Sequence, residues 1–475
     1  MIKTKIIATL GPSCCETHII KAMIDNGVDV FRLNFSHGTL EEHEALLEAF
    51  RAAQTQHHHT TAVMGDLCGP KIRIGPMEKE GQILQAGGEV VIVPGGEVGT
   101  AKRFGTNYEY FAKDVCLNHR IFIDDGKISL KVVSKDDNQI VCKVIVGGPL
   151  FSRKGINLPD SEVSVPSITE HDFKCVEWAV QNNLDFLALS FVRSANDIKS
   201  LRDYLRKAGA DIKIVAKIEK PQAIDQLEDI IRISDTVLVA RGDLGVEMDL
   251  AQVPLIQKRI TQLCRHLGKP VVVATQMLQS MINNPNATRA EVSDVANAIM
   301  DFTDAVMLSG ETAIGEYPLE AAKTIRRIAS VTENYLEQTD SPRLKTSTTE
   351  ELAQTAAMAH SVAQIIRGID AKLVAVWSQT GSTARLLSKN HIDVPILALS
   401  SDKHACHQMC LYYGVIPRCK PIPASIEEFA RIVDKLILGR NWARPGEKIV
   451  IVAGEQLGAA GTTNTILVHT LTDAA

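Results

Sequence analysis

Lys217 and Glu219 stand two residues apart in IVAKIEKP, an apolar, β-branched run, so in a strand both side chains leave from one face. The same rule sets Arg32, Asn34 and Ser36 of FRLNFSHG on one face, with Leu33 and Phe35 on the other. An arginine beside two oxygen-bearing side chains is poor core and a reasonable site for an anion and a cation. In GDLCGPKIRIG an apolar run ends in Asp66, a Gly-Pro breaks the chain, and Lys71 and Arg73 follow. VARGDLGVE supplies Asp243 and also Gly242, which lets a ligand approach the backbone. Two more runs end in Thr275 and in Ser309 and Glu311. Glu219 and Asp243 are hard oxygen ligands of the kind Mg²⁺ takes, the rest of its shell coming from water and substrate. Lys217, Arg32 and Arg73 carry the positive charge that a phosphoryl group in transfer requires. The chemistry these groups suit is phosphoryl transfer. With no GxxxxGK[ST] or kinase-type glycine-rich loop, the nucleotide is not held in a P-loop. Taken singly, Lys217 with Glu219 reads as a buried ion pair and Asp243 as a helix N-cap. Their gathering at strand ends decides for a site.

The elements that must bring them together recur eight times. β-Rich runs at 4–10, 29–35, 61–67, 186–192, 212–218, 235–241, 270–276 and 304–310 alternate with amphipathic stretches such as 41–54 and 194–209. Most of the runs are apolar throughout, the mark of parallel strands covered on both faces. Eight β/α alternations predict an α/β fold, a closed (β/α)₈ TIM barrel working at its C-terminal strand ends, and polar or ionisable groups end six of the eight. The third and fourth runs are separated by GGEVVIVPGG, HRIFIDDGKISLKVVS and NQIVCKVIVGG, short alternating strands with Gly-rich turns. An all-β lid domain inserted after strand 3 is therefore expected, entered through CGPKIRIG and left through GGPLFSRKGINLP. The polar stretch 339–350 reads as a linker, and the β runs beyond it predict a C-terminal α/β domain. The expected boundaries are 1–69 with 165–340 for the barrel, 70–164 for the lid and 350–475 for the C-terminal domain.

Hydrophobic residues make up 45% of the chain and charged residues 23%, an ordinary globular mixture, and the net charge of −5 gives no reason to expect nucleic acid or an anionic membrane as partner. The first apolar run is too short for a secretion signal and no stretch approaches a bilayer span, so a cytoplasmic location is expected. The ten cysteines are scattered and are expected to be free thiols. The run His57-His58-His59 suggests a metal site, but no further ligand lies nearby in sequence, and it is read as a solvated helix end.

RLNFSHG, GDLCGPKIR, KGINLP, VAKIEKP, VARGDLGVE, ATQMLQSMINNPNATRAEVSDVANA and MLSGETAIGEYP closely resemble the pyruvate kinase family, in family order and from the first strand to about residue 320. The C-terminal portion resembles it more loosely. The resemblance implies transfer of the phosphoryl group of phosphoenolpyruvate to ADP, giving pyruvate and ATP, with Mg²⁺ or Mn²⁺ as cofactor. It matches Lys217 to the lysine that stabilises the phosphoryl group in flight, Glu219 and Asp243 to the divalent-metal ligands, and Arg32 to the arginine on the substrate phosphoryl group. Gly242, Asp243 and Thr275 match the group that holds the substrate carboxylate. Arg73, Lys154 and His37 match nucleotide-binding positions, and Asn34, Ser36, Asp66 and the Leu67 carbonyl match the potassium ligands. Protonation of enolpyruvate would use a relay near Thr275, Ser309 and Glu311. A homotetramer with effector control through the C-terminal domain is implied as well. Two competing readings are a barrel lyase or aldolase acting on phosphoenolpyruvate or pyruvate, and a catalytically silent sugar-phosphate sensor. Lys154 and Arg73 argue against the first, and the intact Lys217, Glu219, Asp243 and Thr275 against the second.

Two departures from the family pattern carry expectations of their own. The potassium-dependent pattern has Glu where this chain has Lys71, with Thr and Lys in place of Leu67 and Cys68. A tethered ammonium next to Asp66 is expected to replace the ion, so K⁺ is not required. In KLVAVWSQTGSTARLLS a strand gives way to a Ser/Gly/Thr loop and a helix, and Ser378, Thr380, Gly381, Ser382 and Thr383 could bind a phosphate at that helix N-terminus. Gln379 stands where members responsive to a sugar bisphosphate often carry Lys. A sugar monophosphate or AMP is the effector expected.

Overall fold

The computed structural model describes residues 2–57, 59–338 and 350–472. Eight strands, Lys5–Thr9, Val30–Asn34, Ala62–Asp66, Phe186–Leu189, Lys213–Ile218, Thr236–Ala240, Val271–Ala274 and Ala305–Leu308, are hereafter barrel strands one to eight. They pair in parallel into a closed barrel, the first and eighth meeting as Lys5 with Ala305. Each expected run contains one of them. Along each strand alternate residues face opposite ways. Ile6, Ala8, Phe31 and Leu33 pack under the helices, while Ile7, Val30, Met64, Phe186 and Leu238 fill the barrel interior. The interior is solid, so the chemistry is left to its rim.

The opposite, N-terminal rim carries a fourfold pattern. Asp29, Asp185, Asp235 and Asp304 each precede an even-numbered strand, and each accepts the backbone N–H near the start of the strand before it. These bonds come from Ile6 (3.0 Å), Val63 (2.8 Å), Ile214 (2.9 Å) and Val271 (2.8 Å). Basic side chains meet all four: Lys5 on Asp29 (3.1 Å), His404 and His407 on Asp185 (both 3.2 Å), Arg202 on Asp235 (2.9 Å) and Lys389 on Asp304 (2.5 Å).

Between strands three and four a six-stranded sheet with its own apolar core projects from the barrel. Its way out and its way back run side by side, the Ile74 N–H donating to the Lys154 carbonyl (2.8 Å) and the Ile156 N–H to the Ile72 carbonyl (2.9 Å). Gly69, with φ of +65°, makes the turn into this ribbon where any side chain would also strike Phe191. The C-terminal sheet has the order Val415–Cys419, Ile396–Ser400, Val374–Trp377, Lys448–Gly454, Thr463–Thr470, parallel except for the last strand. It lies under the barrel base, where Lys389, His404 and His407 reach the aspartates just named.

The stretch read as a linker lies outside the described residues except for Glu350, the first residue of helix Glu350–Ile369, and His58 lies outside them too. His57 and His59 are not a freely solvated helix end: they approach Asp25 (3.4 Å) and Asp29 (3.6 Å). All ten cysteines carry free thiols, six of them buried. No helix among the described residues is long and apolar enough to cross a membrane.

Candidate active site

At the C-terminal rim, strand five ends at Ile218 and presents Lys217 to three acceptors. Its ammonium pairs with Glu219 Oε1 (2.9 Å) and Asp66 Oδ1 (3.2 Å) and donates to Ser190 Oγ (2.7 Å). Strand three ends in Asp66, whose Oδ2 also accepts from Arg32 Nε of strand two at 2.7 Å. Arg32 is fixed from the other side by Thr9 Oγ1 of strand one (3.0 Å). Strands one to five thus converge on one charged cluster. Burial pulls the Lys217 pKa down, but Asp66 and Glu219 outweigh it and hold the ammonium well above its ordinary range. For Asp66 burial pushes upward and Lys217 and Arg32 win, so it is an anion at any working pH.

Glu219, one residue past strand five, is 2% exposed, and its Oε2 accepts the Phe191 N–H (2.9 Å). Strand six ends at Ala240 and a helix begins at once, Arg241–Glu247, with Asp243 in its first turn. Burial raises the Glu219 pKa, Lys217 lowers it, and the like charge of Asp243 raises it again, the net direction being upward. Two like-charged carboxyl groups brought to one rim are a place short of positive charge, which a divalent cation could supply. The residues fit the group. Among the described residues no cluster of three His, Cys, Asp or Glu stands ready to hold a metal, and Glu219 and Asp243 could hold a divalent cation whose remaining ligands come from substrate and water.

Thr275 and Gln276, just past strand seven, both have positive φ, 71° and 54°. That left-handed pair is costly for residues with side chains, and it turns Thr275 Oγ1 to accept the Gly242 N–H at 2.7 Å. A Cβ on Gly242 would lie 3.3 Å from the same oxygen, a tight contact that glycine avoids where the strand-six helix starts. Arg241 holds the loop from behind, donating to the Thr275 carbonyl (3.0 Å) and pairing with Asp294 (2.7 Å). After strand eight, both Glu311 oxygens accept backbone N–H groups, from Leu278 (3.1 Å) and Ser309 (2.7 Å). Glu311, 1% exposed, therefore anchors the loop after strand seven to the loop after strand eight.

A cavity of about 750 Å³ opens beside the cluster, lined by Pro12, Arg32, Asn34, His37 and Ser309 among others. His37 stands at its rim. Its imidazole is held below its ordinary pKa by partial burial first and then by the charges of Arg73, Lys71 and Arg32. A second cavity of about 260 Å³ separates lid from barrel beside Asp243, Phe191 and Lys220. The lid cations are engaged within the lid: Lys154 pairs with Asp124 (2.8 Å) and the Arg73 guanidinium donates to the Arg153 carbonyl (3.0 Å).

Three expectations need correction. Strand two ends at Asn34, so the alternation rule does not carry to Ser36, whose N–H turns back onto Asn34 Oδ1 (3.2 Å). Lys71 is not the partner of Asp66, whose two oxygens are taken by Arg32 and Lys217. Lys71 is exposed at the lid ribbon, its Cε 3.4 Å from where a Cβ on Gly155 would lie, because the turn at Gly69-Pro70 carries it away from the strand end. In the C-terminal loop, Ser378 and Thr383 are buried and spend their hydroxyls on the Ala384 N–H (3.3 Å) and Thr463 Oγ1 (2.7 Å). Gly381 has φ of +80° at the helix start, and the hydroxyls at the open side are those of Thr380 and Ser382, 3.1 Å apart.

Sequence reasoning missed Ser190, which accepts from Lys217 and donates to the Leu67 carbonyl (2.7 Å), and Thr9 and Arg241. Each lay in a quoted strand run as a polar residue near a C-terminal end, which is the signal that could have found them.

The family model described as pyruvate kinase, barrel domain, matches residues 1–322, and that described as pyruvate kinase, alpha/beta domain, matches residues 356–469. The chain is 40% identical over 466 residues to a pyruvate kinase of Mycobacterium intracellulare, covering 98% of each. It is 39% identical over 476 residues to that of Geobacillus stearothermophilus, covering 99% of this chain and 81% of the other. The crystal structure of a pyruvate kinase from Cryptosporidium parvum superposes with a TM-score of 0.91 at 32% identity, over 99% of this chain and 96% of that one.

Proposed function

The chain belongs to the pyruvate kinase family and is a phosphotransferase, and from that premise we propose how its own residues transfer the phosphoryl group of phosphoenolpyruvate to ADP. The observation that carries the reading is the Lys217 ammonium, held by Asp66, Glu219 and Ser190 between strands that bring Arg32 on one side and Asp243 on the other. Arg32 takes the substrate phosphoryl oxygens. The N–H groups at the start of helix Arg241–Glu247, with Thr275, take the carboxylate. Lys217 meets the negative charge that develops on the bridging oxygen and the phosphoryl group as the bond to enolpyruvate lengthens. A divalent cation at Glu219 and Asp243 supplies charge neutralisation of the phosphoryl oxygens when bound. ADP enters the cavity beside His37, its phosphates under Arg73 and Lys154 once those cations exchange their lid partners for the nucleotide. The lid over the mouth excludes water, so transfer to ADP prevails over hydrolysis. The enolate then gains a proton from a relay at Thr275 and Ser309, with Glu311 keeping that loop in place.

Finer features belong to the same proposal. Potassium is not required: Arg32 and Lys217 neutralise Asp66, Ser190 caps the Leu67 carbonyl, and Lys71 adds charge on the His37 side. Thr380, Ser382 and the N–H groups at Gly381 bind a sugar monophosphate or AMP. The chain assembles as a homotetramer. The test is ATP formation from phosphoenolpyruvate and ADP, followed through pyruvate with lactate dehydrogenase, with and without KCl and with a panel of phosphorylated metabolites. Pyruvate release that needs no ADP would refute the kinase reading.

A further inference from the structure

Glu247 closes the helix that opens with Gly242 and Asp243, and it is 2% exposed. Four residues apart, Asp243 and Glu247 lie on one face of that helix. Glu247 Oε1 accepts from two directions, from Asn157 Nδ2 of the lid (2.8 Å) and from Lys220 Nζ (2.5 Å). Its Oε2 is buried without a partner among the described residues, so the carboxylate depends on those two donors.

Each donor reports on a different part of the site. Asn157 ends the lid's return strand, Ile156–Asn157, where it pairs with Phe122. Two residues before it Gly155 bridges to Arg73, and Lys154 comes just before that. The lid turn at Asp124, which holds Lys154, runs close to the same helix: a Cβ on Gly126 would lie 4.0 Å from Val246. Lys220 follows Glu219 directly and stands over the Phe191 ring at 5.7 Å, while the Phe191 N–H holds Glu219 Oε2.

We propose that Glu247 is a positioning residue for the reaction, tying the lid arm that carries Lys154 and Arg73 to the helix of Asp243 and the strand end of Glu219. The proposal rests on the reading that ADP phosphates lie under that arm. One buried carboxylate then sets where the nucleotide cations stand relative to the two carboxylates on the barrel.

The experiment is steady-state kinetics on full-length Asn157→Ala, Glu247→Ala, Glu247→Gln and the double variant Asn157→Ala/Glu247→Ala, with ADP and phosphoenolpyruvate varied separately. Asn157→Ala is expected to raise KM for ADP about tenfold, the loss of one charge-assisted buried hydrogen bond. KM for phosphoenolpyruvate should stay within about twofold, because Arg32 and Thr275 are untouched. The double variant should cost no more than Glu247→Ala alone, since both act through one contact. Glu247→Gln, whose carbonyl still accepts from Asn157, should restore most of the ADP affinity. Equal rises in both KM values, multiplying effects, or an unchanged KM for ADP in Asn157→Ala would overturn the proposal. Should Glu247→Ala fail to fold, Asn157→Ala, which leaves the Lys220 pair intact, decides by its KM for ADP. An unmodified enzyme that makes no ATP would instead refute the kinase reading itself, before any variant is compared.

Discussion

At the scale of the residue, Lys217 has three N–H donors and three acceptors, Asp66, Glu219 and Ser190, so its charge is fixed in place before substrate arrives. A preorganised charge of this kind stabilises the transition state without reorganisation at the moment of reaction. Lys217→Met is expected to lower kcat on the order of 10²–10³-fold while KM for phosphoenolpyruvate changes little. Near-normal turnover in that variant would remove the lysine from the mechanism. Lys71 is a different case, an exposed cation whose field reaches His37. Substituting Lys71→Glu places a negative charge there instead, and we expect activity in K⁺-free buffer to fall several-fold and to return on adding KCl. Strong potassium activation of the unmodified protein would mean that Arg32 and Lys217 do not suffice around Asp66.

Among the elements, the short helix Lys403–Gln408 carries the clearest dependence on pH. His404 turns Nδ1 to Asp185 Oδ1 (3.2 Å) and Nε2 to the Asp211 carbonyl (2.8 Å), two acceptors that only an imidazolium can satisfy together. Its pKa is raised, by the Asp185 hydrogen bond first and against the pull of burial, while that of Asp185 is lowered by His404 and His407 despite its own burial. Lys403, His407, Arg51 and the Asp211 carboxylate face the same groove. The sign follows. The His404 contribution is complete below the ordinary imidazole pKa and is lost as pH rises through the raised one, whereas that of Asp185 is lost only as pH falls through a depressed carboxylate value. Thermal denaturation across that range should show stability declining on the alkaline side, and His404→Gln should abolish that decline. None of this was legible beforehand, although the strands were. Periodicity finds a strand because its residues answer to burial, and it found all eight. An Asp stands before strands two, four, six and eight, but the partners of Asp185 and Asp304 come from residues 389–407, and no local pattern announces them. The same limit explains Lys71, whose direction is set by a turn at Gly69 and by the returning ribbon. Lys217 with Glu219 was readable because both lie on one strand end.

For the whole molecule the decisive contact is Lys389 with Asp304, a pair with no solvent exposure that joins the C-terminal domain to the barrel base. Asp304→Ala strands a buried ammonium and leaves the Val271 N–H without its acceptor, and should cost about 3–5 kcal/mol. Asp304→Asn with Lys389→Met removes both charges, keeps an acceptor for Val271, and should recover most of that loss. Urea unfolding monitored by tryptophan fluorescence measures the difference. A double variant as unstable as Asp304→Ala would show that the charge pair is not what holds the base. Barrel closure has a consequence in time. Strand one pairs with strand two on one side and, on the other, only with strand eight, through residues 5 and 305. A ribosome adding about 5–20 residues per second needs roughly 15–60 s to travel between them. For that interval the chain carries an open parallel edge with an apolar centre, KIIAT, of the kind that recruits other edges. Nascent chains arrested before residue 304 should be cleaved within the first thirty residues by added protease, and chains arrested far enough past residue 310 for strand eight to clear the ribosome should resist.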